Sequence, residues 1–210
     1  MNLESRIVQK VQSAIPKSEI ISVYLKGSYV RNEMIQGSDV DVLVVLKTAK
    51  FLPHLKKINF DNICYVGYSL RELKTGKRVK NKSSTTPVSR TVRHLPSYLK
   101  IYGEKLDTSG LHTRTALEDY QRFKKFLEQF IEQYQAGKVG FREVGKQVLW
   151  LAYDELLVQG KMPTYSWKNV VSLLPKHHIA HTAYHYRLHP TKDEKKRSLF
   201  IEEIKKYLKK

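Results

Sequence analysis

The sequence predicts an α+β protein in which a strand-bearing half is followed by an all-helical half. Two observations carry this expectation. Between Glu19 and Gly103 lie four short runs rich in β-branched and aromatic residues, "EIISVYL", "DVDVLVVL", "NICYVGYS" and "SYLKIYG", the composition of strands. From about Leu111 onward, apolar residues recur instead at intervals of three and four, the period of amphipathic helices. The change falls near Asp107, so the expected domains are residues 1–106 and 107–210. A chain of 210 residues is long enough for two small domains packed together, and no internal repeat is present.

Taken in order, "NLESRIVQKVQSAI" spaces Leu3, Ile7, Val8, Val11 and Ile15 as one face of a helix that ends near Pro16. The first strand delivers the chain to Gly27 and Ser28. A polar linker carrying Arg31 leads to the second, whose unbroken aliphatics imply burial on both faces. Residues 71–100 hold nine Lys or Arg against the single acid Glu72, and this polar stretch reads as a loop, mobile at its centre. Beyond it, "TALEDYQRFKKFLEQFIEQYQAGK" closes at Gly137, "FREVGKQVLWLAYDELLVQGK" ends at Gly160, and "SWKNVVSLLPKH" has Ser166 as its cap. A polar helix, "SLFIEEIKKYLKK", finishes the chain.

Charge narrows the partners. With 38 Lys plus Arg against 20 Asp plus Glu, the net charge is +18, which favours polyanions such as RNA or nucleotides. No apolar run approaches the roughly 20 residues that span a bilayer, and "MNLESRIVQK" lacks the apolar core of a signal peptide. The expectation is a cytoplasmic protein with no membrane partner. A single cysteine, Cys64, excludes an internal disulfide and a multi-thiolate metal site.

The chemistry is concentrated at Asp39 and Asp41. Residues two apart on a strand point to the same side, so the two carboxylates stand together, and their mutual repulsion calls for a cation between them. Mg²⁺ suits such a pair, since it takes one or two carboxylates together with substrate phosphates. The Gly27-Ser28 pair supplies the complement: glycine lets backbone approach a phosphate, and the serine hydroxyl and adjacent N–H groups bind its oxygens. Ser38 assists from its place before Asp39.

A glycine-serine pair after an apolar strand, ten residues to Asp39, then acid-apolar-acid-apolar through Val42 resembles the DNA polymerase β-like nucleotidyltransferase superfamily. "YSLREL" and "IYGEKL" are similar to segments of its small members, so the resemblance spans roughly residues 1–106. It implies a mixed β-sheet core with flanking helices, Mg²⁺ at Asp39 and Asp41, and an NTP, ATP first among them, resting on Gly27, Ser28, Arg31 and Ser38. It further implies transfer of an NMP to a hydroxyl with release of pyrophosphate. The family normally carries a third acid on the next strand. Here the expected place holds Cys64, with Asp61 three residues earlier. Either Asp61 serves as that acid under a different register, or the third acid is absent.

Bland alternatives exist for each residue. Cys64 suits a small buried side chain, Asp61 a turn cap, Arg31 an ordinary surface arginine, and Lys26 either phosphate or solvent. His177, His181 and His185 recur every four residues and would share a helix face, as zinc pairs do; with no acid or cysteine nearby, a basic or partly packed surface is the simpler expectation. Tyr120, Phe123, Leu127 and Phe130, with Trp150 and Tyr153, read as helix packing.

The functional expectation is therefore a Mg²⁺-dependent nucleotidyltransferase moving an NMP, AMP first, to a hydroxyl on RNA or a protein. Helices in the second half would serve as lid, acceptor platform or dimer surface. They resemble HEPN domains of toxin and antitoxin pairs in outline, but Arg187 and His189 are too close for the HEPN ribonuclease pair. The alternatives are a silent RNA-binding protein that keeps the fold, or an antibiotic nucleotidyltransferase of the aminoglycoside type, which a +18 chain suits poorly because those acceptors are polycations.

Overall fold

In the computed structural model, residues 1–58, 62–79 and 87–209 are described. They form two compact units, Met1–Thr113 and Arg114–Lys210.

The first unit opens with α1 (Leu3–Ala14), where the Asn2 side chain accepts from Ser5 N–H and Ile7 and Val11 are buried; Pro16 follows the end of the helix. β1 (Ile20–Lys26) and β2 (Val40–Leu46) come next, then α2 (Leu52–Leu55) and β3 (Ile63–Ser69). α3 (Leu70–Thr75), α4 (Val88–His94) and β4 (Leu99–Gly103) complete the unit.

The four strands lie in the order β3-β2-β1-β4. β1 runs antiparallel to both β2 and β4, while β2 and β3 are parallel. This is the mixed sheet with flanking helices that the resemblance implies. Strand periodicity divides the side chains between two apolar layers. Val23, Leu25, Val42, Val44 and Tyr65 pack with Ile7 and Val11 of α1 and Leu52 and Leu55 of α2. On the opposite face Tyr24, Leu43, Val45 and Tyr68 pack with Leu73 of α3 and Val88 and Val92 of α4. Removing the β2 aliphatics from both faces of water is what makes that strand's position firm.

Within residues 71–100, read as a loop mobile at its centre, the two ends are helical as α3 and α4, while the centre, residues 80–86, lies outside the described residues. Ser69 begins α3 with a capping box: its hydroxyl accepts from Glu72 N–H at 3.3 Å, and Glu72 Oε2 accepts from Ser69 N–H at 2.8 Å. Gly76, at φ 69°, closes the helix in the left-handed conformation. α4 follows Pro87 and buries Val88, Ser89, Arg90, Thr91, Val92 and His94. Even the cation Arg90 is only 6% exposed there. The unit continues past the change of period at Asp107, since His112 N–H donates to Leu73 O at 2.8 Å.

The second unit is helical throughout its regular elements: α5 (Ala116–Gln135), α6 (Phe141–Val158), α7 (Trp167–Ser172), α8 (Ile179–Leu188) and α9 (Glu194–Leu208). Thr115 and Glu118 form a second capping box, and Ser166 caps α7. One apolar core joins Phe123 and Leu127 of α5, Val148 and Leu149 of α6, Trp167, Ala183 and Phe200. Tyr120, Phe130 and Trp150 pack against it partly buried. No helix among the described residues is long and apolar enough to cross a membrane.

Candidate active site

β1 hands the chain to Gly27, whose φ of 74° lies where side chains are disfavoured. A Cβ there would overlap the Asp41 carboxylate, so glycine is required twice, by conformation and by contact. Ser28 is buried, and its carbonyl accepts from Glu33 N–H at 2.9 Å, while Gly27 O accepts from Arg31 N–H at 3.3 Å. Ser38 closes the far end of the linker: its hydroxyl accepts from Ile35 N–H at 3.1 Å and its own N–H donates to Ile35 O at 2.9 Å. The linker is thereby folded back onto itself and delivers Asp39 to the edge of β2.

Asp41 lies on the β2 face that carries Leu43 and Val45, and Asp39 stands two residues ahead of it. Register brings two neighbours to Asp41: Lys26 on β1 and Cys64 on β3. Lys26 Nζ lies 3.5 Å from Asp41 Oδ1, so Lys26 is aimed at the carboxylate and not at open solvent. The Asp39 and Asp41 oxygens and Cys64 Sγ all lie within 4.8 Å of one another. Asp39 is exposed and the other two are half-buried. Cys64 is therefore not the buried core residue its type suggests; it belongs to the carboxylate group. Asp61 lies outside the described residues.

Arg31 is no ordinary surface arginine. Its side chain is 5% exposed, and its Nε donates to Glu33 Oε2 at 2.9 Å. Nearby stands a residue that the sequence did not single out, His94 of α4. It is 2% exposed, and burial, reinforced by Arg90, Arg93, Arg31 and Lys26, lowers its pKa to about 3. His94 is neutral at physiological pH, and α4 sets Arg90 and Arg93 in the neighbourhood of Lys26 and Arg31. The signal for it was the spacing Val88, Val92, Leu95, masked by the cations around it. Of the basic stretch, Arg78 donates to the Tyr68 hydroxyl at 2.6 Å with its guanidinium over the ring. Lys80 and Lys82 lie outside the described residues.

The histidine-rich stretch also differs from expectation. α8 begins only at Ile179, because His178 is its cap and accepts from Ala180 N–H at 3.1 Å. His177 thus precedes the helix and does not share a face with His181 and His185. His178 instead reaches Glu155 Oε2 with Nε2 at 3.1 Å, and the same oxygen accepts from the Tyr207 hydroxyl. Burial opposes the charge on Glu155, but these hydrogen bonds outweigh it and hold its pKa below the ordinary carboxylate value.

The site is thus a left-handed glycine turn pressed against paired carboxylates, on a mixed sheet flanked by helices. The nucleotidyltransferase domain family model matches residues 4–139, and the chain belongs to that family of enzymes. No curated protein sequence matches it. Among solved structures, spectinomycin adenyltransferase AAD(9) from Enterococcus faecialis, crystallised with ATP and spectinomycin, is similar at a TM-score of 0.60 and 17% identity, covering 98% of this chain and 99% of that one. A toxin-antitoxin structure with AMP-PNP gives a TM-score of 0.36 and 14% identity, over 64% of this chain and 99% of that one. The former likeness establishes the fold, including a helical C-terminal region.

Proposed function

We propose that the chain transfers an NMP, AMP first among them, from its triphosphate to an acceptor hydroxyl with release of pyrophosphate, using Mg²⁺ held by Asp39 and Asp41. The observation that carries this reading is the close approach of the Gly27 turn and Asp41, which would set a phosphate on the turn beside a cation on the carboxylate. The donor set fits: two hard carboxylates on one face, one of them open to solvent, leave room for phosphate oxygens and water in the remaining positions. When bound, the ion would lower the pKa of an attacking hydroxyl and offset charge on the departing pyrophosphate.

The chain's own residues do the rest. Gly27 and Ser28 orient the phosphates, with Ser38 shaping the linker. Lys26 occupies Asp41 until substrate arrives and then offers its charge to a phosphate oxygen. Arg31, Arg90 and Arg93 contribute positive potential where negative charge builds. Asp61 remains the candidate third acid, with Cys64 the residue that stands across from Asp41.

RNA or protein hydroxyls are the acceptors that suit a chain at +18. A second reading, a hydroxyl on a small antibiotic, is favoured by the full-length likeness to a spectinomycin adenyltransferase. The test is incubation with each α-³²P-labelled NTP and Mg²⁺, offering total tRNA, cell lysate and spectinomycin in separate reactions. Label moved by the wild type and not by an Asp39→Ala, Asp41→Ala double variant supports transfer and names the acceptor. No label from any NTP to any acceptor, with RNA bound equally by both versions, would replace transfer with RNA binding.

A further inference from the structure

We infer that Cys64 is a third ligand of the Asp39 and Asp41 cation position and makes that position thiophilic, so that Zn²⁺, Co²⁺ or Cd²⁺ binds there through sulfur. The inference rests on the reading that the two carboxylates hold a divalent cation; the third donor is what it adds.

The placement follows from topology. β2 and β3 run parallel with Asp41 opposite Cys64, and β1 places Lys26 opposite Asp41 from the other side. Asp41 is therefore flanked by an ammonium on one strand and a thiol on the next. Lys26 takes Asp41 Oδ1 at 3.5 Å, and Gly27 crowds Oδ2, while Cys64 Sγ lies within 4.8 Å of the carboxylate oxygens of both aspartates. A tetrahedral ion at about 2.0–2.2 Å from oxygen and 2.3 Å from sulfur spaces its donors by roughly 3.3–3.7 Å. The three donors, within 4.8 Å of one another, would draw together to that spacing on binding.

Ligand softness then decides which ion gains. Mg²⁺ requires oxygen in near-octahedral array at about 2.0–2.1 Å and derives nothing from sulfur. Zn²⁺ and its borderline neighbours accept thiolate and carboxylate together. Mg²⁺ arriving with nucleotide uses the carboxylates and substrate oxygens, whereas a thiophilic ion takes all three side chains without nucleotide. The two kinds of ion compete for the same carboxylates.

The sequence makes the test specific, because Cys64 is the chain's one cysteine. Any thiolate-to-cobalt charge-transfer band must come from it. Co²⁺ is titrated into the full chain without nucleotide or thiol reductant, followed in the near ultraviolet and by calorimetry. The expected result is a band that saturates with one bound ion and disappears in Cys64→Ser and in the Asp39→Asn, Asp41→Asn double variant. Circular dichroism checks that each variant is folded. Since even outer partners of a bound metal are worth about 10–100-fold in affinity, Cys64→Ser lowers Zn²⁺ affinity by at least that factor.

Co²⁺ binding that needs Asp39 and Asp41 but gives the wild type no sulfur band overturns the inference and leaves the Mg²⁺ reading intact. Absence of any divalent cation binding, with or without ATP, defeats both. The wild-type spectrum decides the question of sulfur ligation even where a variant misfolds.

Discussion

Gly27 and Asp41 leave no room between them for a side chain: a Cβ on the glycine would overlap the carboxylate. The turn and the second acid are thus a single mechanical unit, although fourteen positions separate them in sequence. Gly27→Ala is expected to cost about 1–2 kcal/mol from its left-handed backbone alone, and to displace Asp41 in addition. Urea unfolding measures the former and ATP binding in Mg²⁺ the latter, with both expected to fall.

Asp39 and Asp41 should separate in their structural effects and agree in their chemical ones. Asp39 is exposed, so Asp39→Asn should leave the melting temperature unchanged. Asp41→Asn weakens a partly exposed pair with Lys26, a loss of about 0.5 kcal/mol. Each should reduce nucleotidyl transfer by on the order of 10²-fold or more. Initial rates alongside thermal melts distinguish these outcomes from simple unfolding.

Lys26 Nζ stands 3.5 Å from Asp41 Oδ1, where it would compete with the cation proposed for that carboxylate. Removing its charge while keeping its length, Lys26→Met, should tighten divalent cation binding in the absence of nucleotide and weaken ATP binding in its presence. Calorimetry in the two conditions gives opposite signs. A parallel change in both would mean that Lys26 acts only as a packing residue.

His94 predicts a pH dependence of stability. Its pKa is about 3 in the fold against 6.5 ordinarily, so between those values the unfolded chain binds a proton that the folded chain refuses. Stability is therefore full above pH 6.5 and falls as the pH drops, by up to about 1.4 kcal/mol per unit for this one group. Measured down to about pH 5, above the carboxylate range, the slope should flatten in His94→Gln even though that variant is less stable overall.

Within the helical unit, the Tyr207 hydroxyl and His178 converge on Glu155. Tyr207→Phe removes a hydrogen bond to a carboxylate that burial already disfavours, and should cost about 1–2 kcal/mol. Urea unfolding of the whole chain is the check, with circular dichroism reporting helix content.

The strands were legible because each is a short aliphatic run bounded by turn residues, and β2 could hardly be anything else. The Gly27-Ser28 and Asp39-Asp41 spacing likewise led to a family that the match to residues 4–139 establishes. What sequence could not supply was tertiary burial. "VSRTVRHL" carries a helical stripe, but it lies in a stretch whose polar, charged composition reads as loop, and its burial beside Tyr68 and Leu43 is a tertiary fact. His178 was indistinguishable from His177 until one of them capped a helix. Cys64 was located correctly along the strand, yet its half-exposure among carboxylates depends on what lies beside it.

Lys26, Asp41 and Cys64 occupy one level across three neighbouring strands. A slip of one residue in the β1–β2 pairing would carry Lys26, and in the β2–β3 pairing Cys64, to the face opposite Asp41. The site therefore doubles as an indicator of correct strand pairing. A refolded sample that has recovered its helix signal but neither binds cation nor shows the Lys26 contact would be diagnosed as misregistered, without a structure having to be solved.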